Sequence, residues 1–518
     1  MGQEKLAIGT IDVIVLIAYF LVIVGLGVWL VRKEKTTEDY FVAGRSLPGW
    51  AVGLSILGTC ISSVTYVAYP GKAFVSDWQY LVQGLTLPLL VIAIGLLVVP
   101  FYRKHVKTTV NEFIEMKFGG RVRDFTLLIL ALSELARIGM VLYLLSLVVN
   151  TITDVPIPIV ILTLGVITVA YTVAGGIEGT IWTDVLQTVT LVGGGIAVVV
   201  LVSIELPGGF TGAISTAMEA DKIKLFDFDP TLARPAFFVL FLSGIQNFFY
   251  FLAGNQNQVQ RYQCVRTDRE ARKAILIGGL GSVPVWALFM LVGTMLYVYY
   301  QQFPDPEVVA FAASGESDKV FPHFIETRIP QGLTGVLLAG LFAAAMSSID
   351  SSMNVLSTFA INDVYKKYVR PDAPDKRAFD LARLMTLIWG VAGIMLALLL
   401  VGIGTFLTFY FKAVALLIGV IAGLFALALM SRRAHTRGAL VGIVLGVIVT
   451  AWGLMNLSGF FEGSRQMLRF PWDTIMVGVV TSAVVWAGGW LASVLIPPAK
   501  EQTAPVIWDV LKDRDSSE

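Results

Sequence analysis

Charge is scarce in this chain. Only 14% of its 518 residues are Asp, Glu, Lys or Arg, and the two signs nearly cancel to a net +1. That excludes the basic footprint of a nucleic-acid binder and the charged surface of a soluble globule. Cysteine is rarer still. Cys60 and Cys264 stand far apart, so neither a disulfide framework nor a thiolate metal site is indicated. Histidine is confined to His105, His323 and His435, all expected in loops, which argues against histidine-based catalysis within a membrane; the chain is not read as an enzyme. What fills the sequence is apolar: 56% of residues, with a mean hydropathy of +0.76. The composition is that of an all-α polytopic membrane protein.

Thirteen apolar segments of about 20 residues or more can be marked. They lie at 8–31, 48–74, 78–102, 124–150, 156–174, 181–204, 236–260, 273–300, 333–362, 380–402, 405–430, 436–457 and 473–497. The first is too long for a signal-peptide core, and its basic residues Arg32, Lys33 and Lys35 follow it rather than precede it, so it reads as a retained span. Basic loops follow spans one, three, seven, nine and eleven, including Arg103 to Arg123 and Arg261 to Lys273. By the positive-inside rule the N-terminus is outside and the C-terminus cytoplasmic. Residues 1–497 form one membrane domain, and 498–518 are a short charged tail expected to be disordered.

The ninth span carries the stretch around which the rest is organised. Ala344, Ser347, Ser348 and Ser351 recur at i, i+3, i+4 and i+7 and share one helical face. Asp350 leans to the same side. An aspartate near mid-bilayer costs at least about 2.5–3.5 kcal/mol on insertion scales, so it must face protein, water or a cation. Small oxygen donors without thiolate or imidazole suit a hard alkali cation. Close helix packing, with serines bonding back to their own helix, is the alternative.

Two other spans are interrupted. The second reads Ser55-Ile56-Leu57-Gly58-Thr59-Cys60-Ile61-Ser62-Ser63-Val64-Thr65-Tyr66, and the seventh breaks into Gly254-Asn255-Gln256-Asn257-Gln258. Interrupted spans five apart are the layout of an inverted-repeat secondary transporter. Residues 48–204 would form one repeat and 236–430 the other, with 8–31 and 436–497 added. A broken helix frees backbone carbonyls, and those of Gly58 and Ile61 are candidate cation ligands. Two further charges fall inside spans. Asp184, at the start of the sixth, either caps that helix and its loop or belongs to a site. Arg137, in the middle of the fourth, either pairs with Glu134 one turn away or faces the cavity and holds an anion.

Several of these pieces resemble one family. Tyr40-Phe41-Val42-Ala43-Gly44-Arg45-Ser46-Leu47-Pro48-Gly49-Trp50, the run Gly175 to Asp184, Val259-Gln260-Arg261 and the serine motif are similar to the sodium/solute symporters. Ser76-Asp77-Trp78, Tyr299-Tyr300-Gln301-Gln302 and the surroundings of Arg137 look most like the bacterial sialic acid branch. The resemblance implies a LeuT-like 5+5 inverted repeat within 13 transmembrane helices, alternating access and location in a bacterial inner membrane. It implies a common sodium site at the carbonyls of Gly58, Ile61 and Ala344 and the hydroxyls of Ser347 and Ser348. A second sodium site found in some members maps onto Asp184, Ser347, Asp350 and Ser351. The substrate carboxylate maps onto Arg137, with Cys60, Ser62, Thr65, Tyr80 and Gln83 nearby, and Asn247 and Tyr250 are candidate gate residues. Three positions depart from the branch: Asp350 replaces a serine, Cys60 a threonine, and Gly84 a glutamine, with Gln83 adjacent.

The expectation is thus sodium-coupled import of a small organic solute, an acidic sugar such as sialic acid. A neutral sugar, monocarboxylate or amino acid is the alternative substrate, and a proton the alternative ion. A passive channel, from another class, requires a continuous polar pore, whereas the polar residues here cluster mid-span. The lipid bilayer is the only other partner expected.

Overall fold

The computed structural model describes residues 9–31, 36–61, 63–402, 404–458, 460, 468–498 and 504–510. Within a bilayer an apolar run can satisfy its backbone polar groups only by closing them on itself, so each becomes a helix. The principal helices are Thr10–Val31 (α1), Gly49–Cys60 (α2), Ser63–Val75 (α3), Leu81–His105 (α4), Gly120–Thr153 (α5) and Ile157–Glu205 (α6). They continue with Phe237–Gly254 (α7), Gln256–Gln263 (α8), Asp268–Gln302 (α9), Leu333–Val369 (α10) and Asp375–Gly402 (α11). Gly404–Met430 (α12), Thr436–Leu457 (α13) and Met476–Leu495 (α14) complete the set. Among the described residues ten helical stretches are long and apolar enough to cross a membrane, or eleven with the bent pair α2–α3 taken as one crossing.

The centre of the bundle is α10, buried at every residue from Leu337 to Phe359. A helix covered on all sides can carry polar groups on every face provided each finds a partner. α6 packs along it, and α1 lies against both. Gly27 lets α1 close on α6, since a Cβ there would sit 2.9 Å from the Cβ of Tyr171. The N-terminal end of α1 is tied down as well. Asp12 Oδ1 accepts the backbone N–H groups of Gly332 and Gly335, both at 2.7 Å, so its carboxylate caps the start of α10, where exposed amides favour an anion.

Both interrupted spans are broken where expected. α2 ends at Ile61, whose backbone is extended (φ −104, ψ 110), and the α2–α3 pair is bent by 55°. α7 ends in a π turn at Tyr250–Gly254, Asn255 is extended, and α8 starts at Gln256.

Other expectations need correction. Segments 156–174 and 181–204 meet in α6 at a sharp break rather than at a loop, and the break falls in the interval expected between them. As one straight helix its 49 residues, at about 1.5 Å each, would be over twice the ~30 Å bilayer core, and the non-helical backbone of Gly176 (φ 46, ψ −148) divides it into two helices. Only glycine adopts that backbone freely. Asp184 therefore sits inside a helix and caps nothing. Arg261, assigned to a basic loop, lies in α8 and is fully buried. His105 closes α4, and His323 belongs to a short helix, Val320–Arg328. The tail is not free throughout: Trp508 Nε1 donates to Met430 O at 2.9 Å, Arg432 pairs with Asp509 at 2.7 Å, and Val506 is buried.

Candidate functional site

The polar residues of α10 meet partners on several surrounding helices as well as on α10 itself. Ser347 Oγ lies 3.3 Å from Gly58 O on α2 and 3.2 Å from Ala344 O. Ser348 Oγ lies 3.5 Å from Ala344 O. These long, weak contacts gather two carbonyls and two hydroxyls in one place with no charge among them. The N–H of Ile61 donates to Leu57 O and Gly58 O, at 3.2 and 3.3 Å, which fixes the end of α2 over Ser347. Gly58 allows this approach because nothing projects from it. A Cβ there would stand 2.6 Å from Thr188 Oγ1 on α6.

Four residues further along, the chemistry becomes ionic. Arg261 Nη2 donates to Asp184 Oδ2 (2.9 Å) and to Ser351 Oγ (2.7 Å), its Nε to Ser55 Oγ (2.8 Å) and its Nη1 to Asn257 O (3.0 Å). Ser55 donates to the same Asp184 oxygen at 2.5 Å. A fully desolvated guanidinium–carboxylate pair is tolerable only with such additional bonds. Asp350 points elsewhere: Tyr171 OH donates to its Oδ2 at 2.7 Å, and Ser351 Oγ lies 3.3 Å from its Oδ1. The structure therefore brings Asp184, Ser347, Asp350 and Ser351 into one region but inserts Arg261 among them.

Glu134 and Arg137 do not form a pair. Glu134 accepts from Asn257 Nδ2 (3.0 Å) and Ser352 Oγ (2.6 Å). Arg137 is half-buried and makes no hydrogen bond or ion pair among the described residues, although Glu134, Arg137 and buried Tyr250 are neighbours. The pairing with Glu134 is not formed, and the Arg137 guanidinium in the middle of α5 has no carboxylate partner among the described residues.

The remaining substrate candidates are scattered. Cys60 ends α2, half-buried and in no disulfide, and Thr65 is buried in α3. Tyr80 is half-buried, with Lys72 Nζ 4.6 Å from its ring centre. Gln83 donates to Ser243 Oγ on α7 at 2.8 Å. Asn247, one turn beyond Ser243, is exposed. Ser62 lies outside the described residues. Sequence reasoning missed Ser55, Tyr171 and the pairing of Arg261. The signal available for the last was the density of amides around it, Gln256-Asn257-Gln258-Val259-Gln260, which suits a buried hydrogen-bonded segment as well as a loop.

Comparison with known proteins places the chain itself. Residues 40–446 match the model of the sodium:solute symporter family. The chain is 31% identical to the sodium/sialic acid symporter NanT of Aliivibrio fischeri, covering 93% of this chain and 94% of that protein. It is 30% identical to the sodium/sialic acid symporter SiaT of Proteus mirabilis, covering 95% and 97%. In three dimensions it superposes with a TM-score of 0.86 and 28% identity on a sodium-coupled sialic acid symporter solved in a substrate-bound outward-open state with a novel sodium site, covering 95% of this chain and 99% of that one.

Proposed function

This chain belongs to the sodium:solute symporter family, and we propose that it carries an acidic sugar of the sialic acid class into a bacterial cell with sodium, by alternating access. The observation that carries the substrate reading is Arg137: a guanidinium within a membrane helix, without a protein partner among the described residues, while the carboxylate one turn away is engaged elsewhere. A sugar carboxylate supplies the missing anion. The relatives named above, both sodium/sialic acid symporters, support the same class.

In this reading sodium binds to the carbonyls of Gly58, Ile61 and Ala344 and the hydroxyls of Ser347 and Ser348, tying α10 to the broken span α2–α3. A second cation is held near Asp184, Ser347, Asp350 and Ser351. Cys60, Ser62, Thr65, Tyr80 and Gln83 line the substrate path, and Asn247 and Tyr250 stand at a gate. Thirteen crossings follow if α6 is counted as two at Gly176 and α12 as one, with inverted repeats at 48–204 and 236–430, the N-terminus outside and the C-terminus cytoplasmic. Sodium completes the cavity wall, so solute tightens sodium binding by the same factor as sodium tightens solute.

The test is uptake of labelled sialic acid into proteoliposomes under an inward sodium gradient. Accumulation above equilibrium is expected, lost in the Ser347→Ala/Ser348→Ala double variant. Arg137→Ala should weaken sialic acid binding by at least about tenfold and leave sodium binding in place. Sialic acid bound normally by Arg137→Ala would remove the carboxylate reading, and solute that equilibrates without accumulating would make the protein a passive channel.

A further inference from the structure

Two cavities adjoin at one edge of the bundle. The larger, about 490 Å³, is bounded by α4, α7, α12, α14 and the C-terminal residues Ile507 and Trp508. The smaller, about 300 Å³, lies at Ser431, Arg432 and Arg433, just past the end of α12, and at Trp490 on α14. Met430 and Trp486 line both.

Their chemistry differs. No charged side chain among the described residues lines the larger cavity. Of its two polar side chains apart from tryptophan, Ser482 already donates to the carbonyls of Gly419 and Gly478, both at 2.9 Å, which leaves Gln246. A polyhydroxylated solute would leave its hydroxyls unpaired there, whereas a hydrocarbon chain has none to pair. The smaller cavity holds two guanidiniums. Arg432 is paired with Asp509 at 2.7 Å. Arg433 is exposed and makes no hydrogen bond or ion pair among the described residues. The positive-inside bias accounts for the charge of this loop but not for the apolar cavity that abuts it.

Depth narrows the occupant further. The part of α4 that lines the larger cavity runs from Leu90 to Val98, and the part of α12 from Ala422 to Met430. Eight residues of helix rise about 12 Å, close to half of the ~30 Å hydrocarbon core, so the groove is about one leaflet deep. Trp486, Trp490 and Trp508 stand towards its charged end, all exposed, and tryptophan collects where the bilayer meets water. Lys512 to Glu518 is charged and polar, so the end of this chain does not match an apolar groove.

We infer that the two cavities form a binding site for one anionic phospholipid, its phosphate on Arg433 and the shared Arg432 and one acyl chain between α4, α7, α12 and α14. In the orientation proposed above the lipid belongs to the cytoplasmic leaflet, and a basic pocket between membrane helices on that side is a setting in which acidic headgroups are held. The acyl chain lies against Phe249, the residue before the π turn that breaks α7, so the lipid braces that break from outside.

The experiment is native mass spectrometry of the purified full-length protein in a non-ionic detergent. It is titrated with phosphatidylglycerol, with phosphatidylcholine carrying the same chains, and with glycerol phosphate alone. One phosphatidylglycerol per chain should be retained, about fivefold more tightly than phosphatidylcholine, as one unshared arginine warrants, and glycerol phosphate should not be retained. Arg433→Gln should abolish the preference and leave phosphatidylcholine binding as it was. Ala483→Phe, at an exposed position on the groove wall, should weaken both lipids. Neither residue is buried, so neither substitution disturbs the packed interior. Phosphatidylglycerol retained equally by the wild type and both variants would place the lipid elsewhere. Equal retention of the two lipids would remove the headgroup contact, and glycerol phosphate held as well as the lipid would leave only a site for a free anion. A dimer without lipid, dissociated by Ala483→Phe, would give the groove to a second copy of the chain.

Discussion

In the proposed reading, Gly58 is the residue on which the common sodium site closes. Its carbonyl faces Ser347, and its missing side chain lets α2 meet α6 at Thr188. Gly58→Ala should cost about 1–3 kcal/mol of stability through overpacking and shift the carbonyl away from the serines, raising the sodium concentration needed for half-maximal binding. Adding Thr188→Ala removes the atom in the way and should recover part of both, measured by thermal unfolding and sodium titration. The break beside Gly58 was legible in the sequence, because small and hydroxyl residues interrupt an apolar span there. The steric role of Gly58 was not, because Thr188 is 130 residues distant and meets it only once α6 is in place. Arg137 and Glu134 show the same limit from the other side. Their spacing permits a pair, but the carboxylate is claimed by Asn257 and Ser352, and only the assembled bundle decides between competing partners.

At the scale of elements, apolar periodicity and its interruptions located the membrane helices and both breaks, whereas buried polar helices escaped. α8 is the example: six Gln, Asn and Arg side chains are buried in it, and no hydropathy pattern separates that from a solvated loop. Small extramembrane helices are set by individual caps, as Pro306–Ser314 illustrates. Asp305 accepts the Glu307 backbone N–H at 3.0 Å and lies 3.1 Å from His323 Nε2. Burial alone raises its carboxyl, but the His323 and Glu307 bonds outweigh it and hold it below the ordinary carboxylate range. A depressed carboxylate contributes stability that is full above its unfolded value, about 3.9, and is lost as pH falls through its lower folded value. Thermal shift between pH 6 and 3 should therefore show an acid-sensitive component that Asp305→Asn lacks. An unchanged acid profile in that variant would assign the loss of stability to other carboxylates.

For the whole molecule the number of ions decides what the transporter can achieve. A tenfold sodium gradient supplies about 1.4 kcal/mol per ion, and a potential of 100 mV about 2.3 kcal/mol per net charge. One sodium with a monoanion moves no net charge and supports roughly tenfold accumulation. Two sodium ions with the same solute move one charge and yield about 5 kcal/mol, several thousandfold. The buried network holds two carboxylates, Asp184 and Asp350, and one arginine, Arg261, and the two-ion reading places the extra cation there. Uptake should therefore be electrogenic and show a sodium Hill coefficient above one, falling towards one in Asp350→Ala. A coefficient of one together with uptake that follows pH at fixed sodium would replace the second sodium by a proton. The central helix adds a last consequence. From Leu337 to Phe359 α10 is sheathed entirely by protein, so no acyl chain reaches it, while α1 leaves Leu21 and Trp29 exposed beside its buried Tyr19. Bilayer thickness and lipid species press directly on α1 and reach α10 only through its neighbours, so a change of membrane reaches the central polar face second-hand, through the helices that sheathe it.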